Sequence, residues 1–491
     1  MQRSIVVLTT VLATVAFAPG ARAQEPSRMT VPIAAPNRAP MDTVETTVPA
    51  IVVPETVTID TVKKIAGAKT ASSFLTTAPG IEMQNYRPED KRGINVFEAP
   101  KDESVAYDGF KLQWGAAFTQ QFQGLDHRNT AAPRLVTTGT PPVTANANQL
   151  IRVGHGPNNA TANLYLNAQL ARGIRVAMTT YSSARHHNET WVKDGYLLVD
   201  ASPIDWAPLN NIMKYVTIRA GHFEINYGDA HFRRTDNGNS IRNPLVGNYI
   251  MDAFTTEVGG EFYLRANGFL GMVGVTGGEV RGMIASPEKR SPTYLAKLGY
   301  DKKFSDDLRF RLTASSYAKA SSVNNTLFSG DRAGSRYYDV LENTTSTEAA
   351  QAWSGSIQPG MRNSIHSLVV NPFLQFRGLE LFGNIERAKG RAATETANRT
   401  WKQNVGEVVY RFLPDQQLYV AGRYNTAKGQ LTVGTPDVTV KRTQIGSGWF
   451  LTPNLLTKIE YVNQKYLDFP TTDIRNGGKF KGFMVEGVVA F

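Results

Sequence analysis

The chain of 491 residues contains no cysteine. A disulfide framework, a zinc site built from thiolates and thiol chemistry are therefore excluded. Histidine is scarce, with 7 residues, of which His186 and His187 lie side by side near Glu189. An adjacent pair of histidines on a polar loop is more often incidental than a ligand set, so we predict no metal site and no cofactor.

The common catalytic motifs are missing as well. The sequence has no Gly-x-Ser-x-Gly elbow, no His-Glu-x-x-His pair and no phosphate-binding Gly-Lys-Ser/Thr loop. Its 53 Lys and Arg residues are spread along the chain and do not cluster with aromatic residues, as a nucleic-acid-binding surface would require. We therefore predict that the chain is not an enzyme and does not bind nucleic acid.

Long apolar runs are missing after the N-terminus. Residues 1–23 begin with Arg3, continue with an apolar stretch too short for a comfortable membrane span, and end in the small-x-small cleavage pattern Ala21-Arg22-Ala23. They predict a secretory signal peptide and a mature chain that starts at Gln24. No later run approaches the ~20 apolar residues of a transmembrane helix. We expect an exported protein without a helical anchor.

Two segments precede the regular part of the sequence. Residues 24–56 are rich in Pro and Thr and predict an extended linker. Residues 57–107 are more globular, and Leu75, Pro79-Gly80-Ile81 and Arg92-Gly93 resemble the front of the plug domain of TonB-dependent transporters. That resemblance implies a plug-like segment inside a barrel. Because the match is short, we favour an N-terminal periplasmic collar or linker instead.

From residue 108 onward, apolar and polar residues alternate. In the first segment Leu112 and Trp114 alternate with Lys111 and Gln113. A period of two predicts strands with one apolar and one polar face. The sequence contains about sixteen such segments, namely 108–123, 162–171, 173–183, 191–200, 213–224, 256–266, 268–279, 292–304, 306–322, 366–377, 378–390, 400–412, 416–428, 438–451, 455–467 and 480–491.

The connections between these strands differ in length. Most links after even-numbered strands are very short, such as Asn267 or Pro414-Asp415, whereas the links after odd-numbered strands are mostly long and polar. Short turns on one side and long loops on the other are typical of outer-membrane β-barrels. An even number of strands also brings both chain ends to the short-turn side, which is the periplasm.

The last segment gives a further indication. The chain ends on Phe491, with Val489, Val485 and Phe483 at alternating positions before it. This pattern resembles the C-terminal signature of bacterial outer-membrane proteins. We therefore predict an all-β fold, a transmembrane antiparallel β-barrel of about sixteen strands formed by residues 108–491 in the cell outer membrane, preceded by a short N-terminal periplasmic segment.

A barrel of this size leaves an aqueous lumen, so its polar strand faces are expected to line water. Basic side chains on these faces come mostly from early and middle strands and acidic ones from late strands, which predicts a transverse field. The net charge of +11 fits general solubility as well as it fits attraction of anions or of the anionic outer leaflet. The alternative for each residue is a solvated charge paired with a neighbour. The pore-lining candidates are Lys111, Arg175, Arg219, Arg309, Arg311, Arg423, Lys458, Glu380, Glu386 and Glu460.

Residues 227–252, YGDAHFRRTDNGNSIRNPLVGNYIMD, form the third long loop on this strand count. In general bacterial porins the third loop folds into the barrel and narrows it. The run Gly221-His222-Phe223 followed by Tyr227-Gly228 also resembles phosphate-selective porins of the O/P type. These resemblances imply a constriction, with an exposed lid as the alternative. The constriction candidates are His231, Arg233, Arg234, Asp236 and Arg242.

These observations favour a porin that passes small polar solutes and ions by passive diffusion, with a mild preference for anions. Its expected partners are those solutes, outer-membrane lipid and the barrel-assembly machinery. General porins often assemble as trimers, so a homotrimer is one expected assembly and a monomer the other. Two other functions stay open: a plugged transporter of the TonB-dependent type, and an outer-membrane barrel hydrolase. The hydrolase would use an acid/base cluster of His222, His231, Asp229 and Asp236.

Overall fold

The computed structural model describes residues 83–101, 105–138, 141–279, 290–330, 338–347 and 355–491. All of them belong to one unit, Lys69–Phe491. The signal peptide, the linker and the first part of the 57–107 segment that the sequence predicts lie outside the described residues.

Strands dominate the described residues. They are β1 (Lys111–Arg128), β2 (Leu135–Thr138), β3 (Val143–Asn146), β4 (Gly156–Ala171), β5 (Ile174–Ser183), β6 (Trp191–Val199), β7 (Val216–Glu224), β8 (Thr256–Ala266), β9 (Phe269–Thr276), β10 (Thr293–Lys303), β11 (Leu308–Lys319), β12 (Ser364–Phe376), β13 (Leu379–Arg391), β14 (Arg399–Phe412), β15 (Leu418–Gln430), β16 (Asp437–Thr452), β17 (Leu455–Leu467) and β18 (Lys479–Ala490). All but β2 and β3 form one closed antiparallel barrel of sixteen strands. The strand number and the fold that the sequence predicts are confirmed.

Helical elements are short. The helix α1 (Ala207–Met213) lies between β6 and β7, and single 3-10 turns form at Lys91–Gly93, Ala184–His186 and Ala230–Phe232. Among the residues that the structure describes, no helix is long and apolar enough to cross a membrane.

The barrel closes between its first and last strands. β1 pairs with β4 on one side and with β18 on the other. Beyond the last residue of β18, Phe491 exchanges two backbone hydrogen bonds of 3.0 Å with Ala116. Closure satisfies every strand edge, which a lipid environment requires because it supplies no hydrogen-bonding partners.

The faces of the strands are inverted relative to a soluble protein. Large apolar side chains point outward and stay exposed, as with Trp114 at 67% and Val420 at 48%. Polar side chains such as Gln121 and Asn425 point inward and are buried. An apolar belt of this kind is stable against lipid and unstable against water. The chain is therefore an outer-membrane type of barrel.

The two ends of the barrel differ as the sequence predicts. Short turns such as Asn267-Gly268, where both residues have positive φ (52° and 88°), join strands at the end where both termini of the barrel lie. Asn-Gly suits this turn because both residues tolerate the left-handed conformation. Long connections occupy the other end. The β2–β3 hairpin lies in one of the long polar links, and the alternating segments of the sequence did not predict it.

Candidate functional site

The third loop, residues 225–255 between β7 and β8, crosses the lumen to the opposite wall. The backbone N–H groups of Val246 and Gly247 donate to Glu460 of β17 at 2.8 and 3.2 Å. The N–H of Ile250 donates to Asn425 of β15 at 2.7 Å. Since β15 and β17 lie far from β7 and β8 around the barrel, the loop spans the interior.

The tip of the loop contacts the wall at β1 and β4. The Gly238 N–H donates to Asn163 of β4 at 2.8 Å, and Thr119 of β1 donates to the Gly238 carbonyl at 2.8 Å. A Cβ at position 238 would lie 2.6 Å from the carbonyl oxygen of Ala117. Only glycine allows the backbone to approach the wall this closely.

Arg233 fixes the middle of the loop. Its guanidinium donates to Glu407 at 2.8 Å and to Glu380 at 3.2 Å, and it also donates to Asn95. Arg423 completes the group by donating to Glu407 at 2.7 Å. All of these side chains are buried, so their charges bind the loop to β13, β14 and β15.

The other four constriction candidates also have partners. Arg234 pairs with Asp252 and Arg242 with Glu89, at 2.7 and 2.5 Å. Asp236 pairs with Lys193 of β6 at 2.7 Å, and His231 lies 3.2 Å from Glu224. Burial lowers the pKa of His231 and outweighs the opposing effect of Glu224. Lys193 bridges Glu224 and Asp236, and Asp236 lies 3.9 Å from Arg234, so His231, Asp236 and Arg234 belong to one ionic network. Arg233 and Arg242 have partners of their own.

The pore-lining candidates all come from lumen-facing strand positions, but the loop covers most of them. Lys458 donates to the loop carbonyls of Ser240 and Leu245 at 2.9 and 3.1 Å, and Glu386 accepts from Tyr227 at 2.9 Å. The side chains that the loop covers in this way, each at most 4% exposed, are Arg311, Arg423, Lys458, Glu380, Glu386 and Glu460.

The remaining four pore-lining candidates lie away from the contacts that the third loop makes with the opposite wall. Lys111 pairs with Asp108 at 2.9 Å, and Arg309 pairs with Asp301 at 2.6 Å, both toward the short-turn end. Arg175 and Arg219 instead line the cavity described below.

Residues 83–101 also lie inside the barrel. Glu98 pairs with Arg311 at 2.8 Å and with Lys297 at 3.2 Å, both on lumen-facing strand positions. Phe97 is 2% exposed and packs against Phe373 of β12, with ring centroids 5.4 Å apart. These contacts are made from within the lumen. A collar outside the barrel, the interpretation favoured from sequence, does not describe this part of the chain.

Asp229 links the segment, the loop and the wall. It accepts hydrogen bonds from Arg311 at 2.8 Å and lies 2.7 Å from the Lys297 ammonium. Burial alone would raise the pKa of the Asp229 carboxyl, but the charges of Lys297 and Arg311 outweigh it and lower this pKa to about 2. The carboxylate is therefore charged at any physiological pH.

A cavity of about 190 Å³ remains between the loop, residues 83–101 and the wall formed by β4–β8. Its surface carries charges of both signs and several aromatic rings. Its basic side chains are Arg87, Arg175, Lys193, Arg219, Arg234, Arg242 and Arg265, and its acidic ones are Glu89, Glu98, Asp194, Glu224 and Asp236. Basic groups outnumber acidic groups on this surface.

Several residues of the site were missed from sequence. Glu407 was within reach, because strict alternation places it on the same face as Gln403. Lys193 was not, because a register irregularity in β6 turns both Lys193 and Asp194 inward. Glu98 belongs to the N-terminal segment, whose place in the lumen no local pattern indicates.

Comparisons with known proteins concern the fold. No protein-family model matches the chain, and no curated protein matches it. Solved structures that match include an anion-selective porin from Comamonas acidovorans (10% identity, 78% of this chain and 100% of that chain, TM-score 0.48) and the outer membrane channel DcaP of Acinetobacter baumannii (9%, 79% and 99%, TM-score 0.45). OmpF of Salmonella typhi also matches (14%, 79% and 99%, TM-score 0.43). These values are too low to transfer a function, and the fold rests on the barrel itself.

Proposed function

We propose that this protein is an outer-membrane channel through which small polar solutes and ions diffuse passively, with a mild preference for anions. The observation that carries the proposal is the cavity between the third loop and the β4–β8 wall. This cavity is the part of the lumen that stays open when the third loop binds the opposite wall. Its surface is charged and lies within a closed barrel, as a wet path across a membrane requires.

The anion preference follows from the unequal charges on that surface. Lys193 and the arginines of β5, β7 and β8 lie on the wall, and the loop adds Arg234 and Arg242 opposite them. The acidic groups of the lining are fewer, five against seven basic groups. In a narrow, poorly screened passage such an excess attracts anions and repels cations.

Reversal potential in planar bilayers under a salt gradient tests this function. The mature protein should form channels whose reversal potential indicates a modest excess of anion current. Replacing both Arg234 and Arg242 with Gln should shift the reversal potential toward cation selectivity, because Asp252 and Glu89 would lose their partners. Arg377→Gln, in an exposed turn, removes the same charge outside the lumen and should leave the potential unchanged. Absence of conductance, or cation selectivity in the unaltered protein, would refute the proposal.

We also propose that the protein is not an enzyme. The four residues considered for a hydrolytic cluster have separate partners: Asp229 binds Arg311, Asp236 binds Lys193 and His222 contacts Thr256. Both ring nitrogens of His231 are occupied, one by Glu224 and one by Asn226. Within the described ranges, no group of three His, Asp or Glu side chains is arranged to hold a metal ion.

A further inference from the structure

Most acidic side chains of the cavity are already neutralised by the protein. Glu89 pairs with Arg242 at 2.5 Å. Glu224 and Asp236 each pair with Lys193 at 2.7 Å. Lys193 serves two of these carboxylates, and Arg234 lies 3.9 Å from Asp236, so all three carboxylates are held in ion pairs within the protein.

Three arginines of the same cavity are not neutralised in this way. Among the described residues, no carboxylate forms an ion pair with Arg87, Arg175 or Arg265, and their hydrogen bonds go to neutral groups. Arg87 donates to the Phe232 carbonyl at 2.9 Å, and Arg265 donates to the Ala99 carbonyl at 2.6 Å. Uncompensated guanidinium groups in a confined space are the usual recognition element for carboxylate or phosphate.

Burial makes this charge costly in the absence of an anion. Burial lowers the pKa of the Arg87 guanidinium. Glu89 and Glu224 favour its charged form but form no ion pair with it, so they do not offset the effect of burial. Asp194 is the one acidic group of the lining outside an ion pair, and it is the immediate neighbour of Lys193. Because Glu224 and Asp236 share Lys193, the balance is that of the whole lining, where seven basic side chains face five carboxylates and leave a net positive site.

The rest of the lining indicates the body of the solute. The rings of Tyr86, Phe97, Tyr196 and Phe232 face the same cavity. Each of these rings has a guanidinium over one face, 4.2 to 5.8 Å from the ring centroid. Inorganic phosphate would contact only the guanidinium groups, whereas the apolar part of an organic acid would also cover the ring surface that lines the cavity. The cavity volume of about 190 Å³ lies below the roughly 300–1,000 Å³ of pockets for drug-sized ligands, so the solute is small.

We propose that the cavity is a binding site for small organic carboxylates, whose carboxylate faces Arg175 and Arg265 and whose apolar part lies against the aromatic rings. Because Arg87 comes from residues 83–101, the N-terminal segment and the barrel wall build the site jointly. The proposal rests on the channel function above and names its class of solute.

Binding of benzoate to the purified mature protein in detergent, measured by equilibrium dialysis, tests the proposal. Benzamide has nearly the same shape without the charge and is the matched control. We expect saturable binding of benzoate and at least tenfold weaker binding of benzamide. Equal binding of the two compounds, no binding of benzoate, or phosphate competing as well as benzoate itself would overturn the proposal.

Variants with single Arg→Gln substitutions test where benzoate binds. Arg175→Gln and Arg265→Gln should each weaken benzoate binding at least tenfold, while Arg377→Gln should not change it. If both lumen variants bind benzoate normally, the site is elsewhere and the proposal fails. Retained heat-modifiable migration in gels would show that the variants are folded. Since dialysis needs no conduction, a protein that conducts ions but does not distinguish benzoate from benzamide refutes the binding site and leaves the channel function standing.

Discussion

Single buried charges hold the loop of this barrel against its wall. Glu407 binds both Arg233 of the loop and Arg423 of β15, and Lys458 lies 2.6 Å from Glu486. Removing one member of such a pair leaves an uncompensated buried charge, which typically costs about 3–5 kcal/mol. We therefore assign these side chains to the structure of the lumen, whereas the proposed solute path follows the wall of β4–β8.

Asp229 should make the stability of the protein depend on acid pH. Its folded pKa of about 2 is lower than the ordinary value of 3.8, so the carboxylate stabilises the folded state above pH 4. This contribution, on the order of 2 kcal/mol, is lost as the pH falls from about 4 to about 2. Chemical unfolding of the wild type and of Asp229→Asn at a series of pH values measures it.

The difference in unfolding free energy between the two proteins should shrink over that pH interval. Asp468→Asn, at an exposed position after β17, is the control and should follow the wild type throughout. A difference that stays constant from pH 5 to pH 2 would mean that Asp229 is not held in its charged form by Lys297 and Arg311.

Gly238 should tolerate no side chain. Its Cβ would lie 2.6 Å from the Ala117 carbonyl oxygen, and backbone atoms of Ala162 are at 2.7 Å. We expect Gly238→Val to displace the tip of the loop and to destabilise the protein by about 1–3 kcal/mol. Gly154→Val, in an exposed connection where a Cβ meets no neighbour, is the control and should leave the stability unchanged. Equal unfolding free energies for Gly238→Val and wild type would contradict the close contact.

Among the elements, the N-terminal segment should limit the current. Residues 83–101 occupy lumen space and contribute Arg87, Glu89 and Glu98 to the cavity. Deleting residues 24–101, with the signal peptide retained, should raise single-channel conductance above that of the full mature chain. Deleting residues 24–82 alone is the matched control. If both deletions give the same conductance, residues 83–101 do not narrow the path.

The strands were predictable and the lumen-filling segments were not. β8, for example, is predicted at 256–266 and found at Thr256–Ala266, because alternation is a local property of the sequence. Residues 83–101 show no such period. Their position depends on Glu98 meeting Arg311 and Lys297, which lie about two hundred residues away along the chain.

For the whole molecule, closure between β1 and β18 should be required for stable insertion. A chain that lacks residues 479–491 would leave the edges of β1 and β17 unpaired in lipid, where no solvent can satisfy them. We expect this chain to show no heat-modifiable band in gels and to form no channels. Removing the β2–β3 hairpin, which lies outside the barrel, is the control and should preserve both properties.

The amino-acid pattern was sufficient for the barrel: sixteen strands, the outward apolar faces, the turn asymmetry and the position of the third loop. These properties depend on a two-residue period and on neighbouring turns, so each can be deduced from a short stretch of chain. The contents of the lumen required the folded structure. Contacts such as that of Arg233 with Glu407 decide which charges face a passage and which are covered. These partners lie far apart in the sequence, so no local pattern indicates that they meet. Residues 227–252 and 83–101 therefore acquire their role only once the barrel encloses them.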